Sequence, residues 1–213
     1  MLTPLLALLS VLPVQVAGAA PGAPPGATPT ETSTARVLLE TALGEIELEV
    51  DLARAPVTAR NFLRYVSAGR YDGGRFHRTV TPQNQPGNPV KIDVIQGGEA
   101  PAQEASDFPP IPLERTRDTG LRHVDGALSM ARAGPDSATG DFFICVGPQP
   151  ALDFGGRRNP DGQGFAAFGR VVRGLEVVRR IWRAPASGQA LAPPVALRRV
   201  RVLGATTPPA SNR

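Results

Sequence analysis

The sequence predicts a mainly β protein, a closed antiparallel barrel with two helices. Three observations carry this. Gly and Pro contribute 23 residues each to a chain of 213, together about a fifth. That suits short strands joined by turns better than a helical bundle. Between residues 36 and 204 the chain breaks into short β-like runs, with only two stretches of helical periodicity. Those two helices do not alternate with strands as a parallel sheet would require, and no internal repeat is present. The apolar set, 41% of the chain, is enough for a core, and the length fits one domain with tails.

The elements follow in order. Val37-Leu38-Leu39 and Ile46-Glu47-Leu48-Glu49-Val50 flank Leu43-Gly44, and the second run alternates apolar and charged residues as a half-buried strand does. Together they predict an opening hairpin. Pro56 near the start and Gly69 just past the end punctuate a helix over 55–66, with Phe62, Tyr65 and Val66 on one face. Strands are predicted over 75–80, 91–96, 127–131, 141–146 and 165–172. A second helix is predicted over 175–182 and a closing strand over 195–203.

Residues 1–30 carry no charged side chain. Leu5 to Leu12 is a short apolar run, and Ala17-Gly18-Ala19 offers small residues for cleavage. This predicts a secretory signal over 1–19, a Pro/Gly/Ala-rich tether over 20–35, a folded domain over 36–204 and a flexible tail over 205–213. The run is too short to span a bilayer, and no cysteine follows it to accept a lipid. The expected location is the periplasm, with no stable membrane insertion after cleavage.

Composition excludes several chemistries. The one cysteine, Cys145, forbids an internal disulfide, and with only His77 and His123 a metal centre is not expected. Lys91 is the one lysine, so a P-loop or Schiff base has no other candidate. The net charge of +4 is spread along the chain, which predicts a solvated surface and no nucleic-acid partner.

Four segments concentrate the remaining signal: Tyr71-Asp72-Gly73-Gly74-Arg75-Phe76-His77-Arg78, Val94-Ile95-Gln96-Gly97-Gly98, Leu128-Ser129-Met130-Ala131 and Phe142-Phe143-Ile144. Phe168-Gly169-Arg170-Val171-Val172 follows them. In these motifs, and in their order over about 36–204, the chain resembles the cyclophilin family of peptidyl-prolyl isomerases. The resemblance implies an eight-stranded antiparallel barrel capped by two helices. It implies catalytic roles for Arg78 and Gln96. It implies a proline pocket walled by Phe143, Met130 and Leu152, with Ala131, Phe165 and Val94 beside them. It further implies no cofactor, and proline-containing segments of client proteins as partners; a monomer is expected. The residue types suit the chemistry: an Xaa-Pro bond needs no nucleophile, only a site that favours the twisted amide. An apolar cup can grip the proline ring while a guanidinium donates to the prolyl nitrogen or a neighbouring carbonyl.

Taken singly, these residues have plainer readings. Phe142 and Phe143 are adjacent, so on a strand one is core and the other lines the site. Met130 is by type a core filler. His77 is expected to face away from Arg78, His123 to be a satisfied core or loop histidine, and Cys145 to be a buried small apolar residue. The turn-rich stretch 155–164 fits neither a calcium loop nor a dinucleotide fingerprint, and reads as a rim loop that could shape substrate choice.

The chain also departs from the family pattern. Asp93 stands where a pocket phenylalanine is usual, so an acid near the cup is expected to pull on Arg78. Gly140-Asp141 replaces Ser-Gln, Arg132 an asparagine, Ala151 a tryptophan, and Phe165 a histidine or tyrosine. An Arg132–Asp141 pair is expected to take over backbone binding. An isomerase of exported or folding chains is therefore expected, the alternative being a barrel that grips such segments with little turnover.

Overall fold

A computed structural model describes residues 33–102 and 108–204. The expected signal and tail, and most of the tether, lie outside them. Nine strands and three helices follow in order: β1 (Thr34–Thr41), β2 (Gly44–Asp51), α1 (Pro56–Ser67), β3 (Arg75–Val80), β4 (Val94–Gly98), α2 (Thr116–Thr119), β5 (Ala127–Met130), β6 (Phe142–Cys145), β7 (Ala166–Arg173), α3 (Leu175–Trp182), β8 (Ala186–Ser187) and β9 (Ala190–Gly204). Every strand pair is antiparallel, in the order β1-β2-β7-β5-β6-β4-β3-β9, and β9 returns to β1. Eight strands thus close a barrel, with the two-residue β8 as a spur on β9. The two expected helices are α1 and α3, and α2 is a third of a single turn.

The local chemistry explains these elements. In β2, Ile46, Leu48 and Val50 are buried while Glu45, Glu47 and Glu49 alternate outward. Those glutamates meet Arg36, Arg170 and Arg173 from neighbouring strands in a ladder of surface ion pairs. Helix α1 starts on Pro56 and has no side-chain cap of its own. Glu114 accepts the N–H groups of Val57 and Thr58 at 3.0 and 2.7 Å instead, a carboxylate against the positive helix end. Gly174 opens α3 at φ 88°, where a Cβ would overlap the Glu45 carbonyl.

Apolar side chains collect on both faces of the sheet. The barrel interior holds Leu39, Ile46, Ile95, Phe142 and Phe168, packed with Phe62 and Tyr65 of α1 and Ile181 of α3. The rings of Phe62 and Phe142 meet edge to face at 5.5 Å. A second cluster lies on the other face of β4 and β6, made of Val80, Ile92, Val94, Ala127, Phe143, Cys145 and Leu152. The alternation along β6 makes the two clusters: Phe142 and Ile144 face one way, Phe143 and Cys145 the other.

Candidate functional site

The second cluster floors a cavity of about 640 Å³. Strand register builds its centre. Arg78 of β3 is opposite Gln96 of β4, and Gln96 is opposite Phe143 of β6. Three side chains of different chemistry therefore stand in one row across three strands. A bulge between Phe76 and Arg78 shifts the alternation of β3, so that Phe76 enters the core while Arg78 reaches the cavity.

Arg78 is held by neutral groups. Its Nη1 donates to Gln96 Oε1 at 2.9 Å, and its Nε and Nη2 donate to Gln189 Oε1 at 2.9 and 2.6 Å. Gln189 comes from the β8–β9 turn and is itself fixed by donating Nε2 to the Asn84 carbonyl at 3.1 Å. Gln96 donates Nε2 to Asp141 Oδ2 at 2.8 Å, which settles which end of its amide faces Arg78. An arginine has five N–H groups and a glutamine amide has two, so hydrogens remain on both side chains for a ligand. Burial pulls the Arg78 guanidinium below its usual value.

Beside this polar row stands the apolar cup. Phe143, Leu152, Val94, Ile92, Ala131 and Phe165 line it. Phe143 and Phe165 pack edge to face at 5.3 Å. His123 stacks behind Phe143, ring centroids 5.9 Å apart and planes 12° off parallel. Its Nδ1 lies 2.8 Å from Asp153 Oδ1 and its Nε2 3.0 Å from Ser129 Oγ, all in the interior. Burial would raise the Asp153 carboxyl, but hydrogen bonds from the His123 ring and main-chain N–H, with Arg122 nearby, outweigh it and hold the group below the usual carboxylate range. His123 is thus a buried, partnered residue that backs the cup.

The structure brings Arg78, Gln96, Phe143, Leu152, Ala131, Phe165 and Val94 to one cavity. It does not bring Met130 there. Met130 is 1% exposed and belongs to the barrel interior, because it alternates with Ala131 and only the latter faces the cavity. The acid expected beside Arg78 is also elsewhere. Asp93 does not line the cavity; Ile92 provides an apolar wall instead, because β4 begins only at Val94. The Asp93 carboxyl sits where burial pushes it up, next to Gln149. Nor do Arg132 and Asp141 pair. Arg132 donates to both oxygens of Asp161 at 2.8 and 3.0 Å and to the Gly164 carbonyl, while Asp141 serves Gln96 and lies 3.6 Å from His77 Nε2. Gly98 makes room for that carboxylate, which a Cβ there would overlap.

Three contributors were not visible in the sequence. Gln189 lies 111 residues from Arg78 in a turn of no distinctive composition. Ile92 was masked by the insertion before β4. Arg158, one of many arginines, reaches the cavity from the rim loop.

Comparison with known proteins agrees with this geometry. Residues 36–202 match the family model described as cyclophilin type peptidyl-prolyl cis-trans isomerase/CLD. The chain is 40% identical over 150 residues to peptidyl-prolyl cis-trans isomerase A of Dickeya dadantii, covering 70% of this chain and 72% of that one. It is 38% identical over 146 residues to an isomerase of Streptomyces antibioticus, covering 68% and 81%. A crystal structure of a Cryptosporidium parvum cyclophilin type isomerase superimposes with a TM-score of 0.64 at 20% identity, over 80% of this chain and 98% of that one. The same protein has been crystallised in the presence of the dipeptide Ala-Pro. With a barrel of this topology, a family match across nearly all of it and relatives at this identity, the chain belongs to the cyclophilin-type peptidyl-prolyl cis-trans isomerases.

Proposed function

We propose that isomerisation takes place in the cavity over β3, β4 and β6, with Arg78 as the group that acts on the prolyl bond. The observation that carries this is the bonded chain Gln96–Arg78–Gln189 at the lip of an apolar cup. The cup formed by Phe143, Leu152, Val94, Ile92, Ala131 and Phe165 takes the proline ring. One side of the amide is then fixed while the other rotates. Rotation must cross a barrier of ~18–20 kcal/mol set by amide resonance. As the bond twists, the prolyl nitrogen loses conjugation and becomes an acceptor. A hydrogen left on the Arg78 guanidinium donates to it, or to the adjoining carbonyl, and so stabilises the twisted form over both planar ones. Gln96 keeps the guanidinium in plane and offers its second amide hydrogen to a substrate carbonyl. No group gains or loses a proton in these steps.

The clients are unfolded or folding chains with accessible Xaa-Pro bonds. The relative crystallised with Ala-Pro supports a proline dipeptide as the minimal ligand. Export to the periplasm rests on the Leu5–Leu12 run and Ala17-Gly18-Ala19 in an uncharged leader. The intact mass of exported protein reads it directly, since loss of residues 1–19 is the expected result. No helix among the described residues is long and apolar enough to cross a membrane.

Two-dimensional exchange NMR on a short Ala-Pro peptide tests the activity. Catalytic amounts of protein are expected to accelerate cis–trans exchange. Arg78→Ala, shown folded by circular dichroism, is expected to lose about 100-fold or more, as when an enzyme loses a donor to its transition state. Folded wild-type protein that leaves exchange unchanged across several Xaa-Pro peptides would sink the reading. Undiminished activity in Arg78→Ala would remove Arg78 from its role.

A further inference from the structure

We propose that Arg158 makes this cavity select prolyl bonds flanked by an acidic side chain. The inference rests on the isomerase reading for its substrate, and deepens it. Arg158 lies on the rim loop between Leu152 and Phe165, two walls of the cup, and lines the same cavity as Arg78. Its Nη1 donates to Gln85 Oε1 and to the Val90 carbonyl, both at 2.7 Å. Those two bonds use both hydrogens on Nη1 and hold the guanidinium in place. Both acceptors are neutral. Among the described residues no carboxylate is paired with Arg158, and none accepts from its Nε–Nη2 edge. That edge is the fork that takes both oxygens of a carboxylate.

The other charged groups of the cavity have partners of their own. Arg132 grips Asp161, Glu99 faces Arg70 at 3.2 Å, and Asp141 accepts from Gln96 beside His77. Arg78 and Arg158 remain, and both are bonded only to amide oxygens. Burial first, and then the charge of Arg78, pull the Arg158 guanidinium below its usual value. Both cations line one cavity, so an anion bound there is attracted by each of them. When the cup holds a proline, the residues on either side of it are one Cα–Cα step away, about 3.8 Å. A Glu or Asp there brings its carboxylate to the open edge of Arg158.

The test measures binding and turnover separately, with the full chain. Short peptides carry Glu, its isostere Gln, or Lys on either side of proline. Dissociation constants come from NMR titration and rates from exchange spectroscopy. One of the Glu peptides is expected to bind about tenfold tighter than its Gln partner at low salt, the scale of a charge-assisted hydrogen bond at a partly wet site. The preference shrinks as ionic strength rises. Arg158→Gln is expected to abolish it, Arg158→Lys to keep part of it, and Arg158→Glu to reverse it in favour of Lys beside proline. Equal affinities in the wild type, no binding of any peptide, or a preference that survives in Arg158→Gln would each overturn the proposal. A Glu preference in binding without accelerated exchange would leave charge selection standing and remove the isomerase reading instead.

Discussion

Arg78 is oriented by amides where a carboxylate would be the stronger partner. An acid in that place would neutralise the guanidinium and occupy the hydrogens the substrate needs. Gln96 and Gln189 fix the plane of the group and leave its charge intact. This predicts an unusual order of severity at residue 189. Gln189→Ala frees the arginine to swing and is expected to lower kcat/KM about tenfold, the cost of losing a positioning contact. Gln189→Glu keeps the shape but supplies a charge, and is expected to fall further than Gln189→Ala. Exchange kinetics on an Ala-Pro peptide decides the order, and a fully active Gln189→Glu would show that the charge state of the partner is irrelevant. Motif matching placed Arg78, Gln96 and Phe143 because each keeps its neighbours in sequence. It could not separate Met130 from Ala131, since adjacent strand residues share a motif but face opposite ways.

Elements set the site through register. Arg78, Gln96 and Phe143 are separated in sequence, and two antiparallel ladders joining three strands put them in line. The strand interiors were legible from alternation and β-branched or aromatic residues. Their ends were less so: β9 was expected from Val195 but begins at Ala190, because Pro193 and Pro194 interrupt the pattern that marks a strand. The reach of Asp93 and Arg132 was misread for a related reason, since loop-borne side chains take partners that no local pattern specifies. One corner is sharply constrained. Gly174 links β7 to α3 against the Glu45 carbonyl of β2. Gly174→Ala combines an unfavourable positive φ with that overlap, and is expected to cost about 2–3 kcal/mol. Urea denaturation reads the loss, while activity of the still-folded fraction is expected to persist, because the corner is remote from the cavity.

At the scale of the molecule, one barrel wall serves two apolar clusters, an interior that holds the fold and an outer one that forms the cup. The closed topology was legible from composition and strand count; that the cavity lies outside the barrel was not, because periodicity tells two faces apart without saying which faces a ligand. The Asp153–His123–Ser129 chain couples the outer cluster to stability. The folded state holds the Asp153 carboxyl below its unfolded value, so its contribution is complete above the ordinary carboxylate pKa of about 3.9 and is lost as pH falls through the lower folded value. Asp153→Asn is therefore expected to be less stable than wild type at pH 7, with the gap narrowing below about pH 4. Chemical denaturation across that range checks it. A constant gap would mean the residue acts through shape alone.

Cys145 gives the barrel one further property. It is fully buried among the apolar residues under the cup, and burial pushes its thiol well above the usual range, with Asp153 and Asp125 adding to the shift. The native molecule therefore presents no thiol to oxidants, and with no second cysteine it has no internal bridge to lose. Its fold is equally at home in oxidising and reducing surroundings. The hazard is confined to time: until β6 is sealed between β4 and β5, a newly made chain carries one thiol able to couple to another chain, and closure of the barrel ends that exposure.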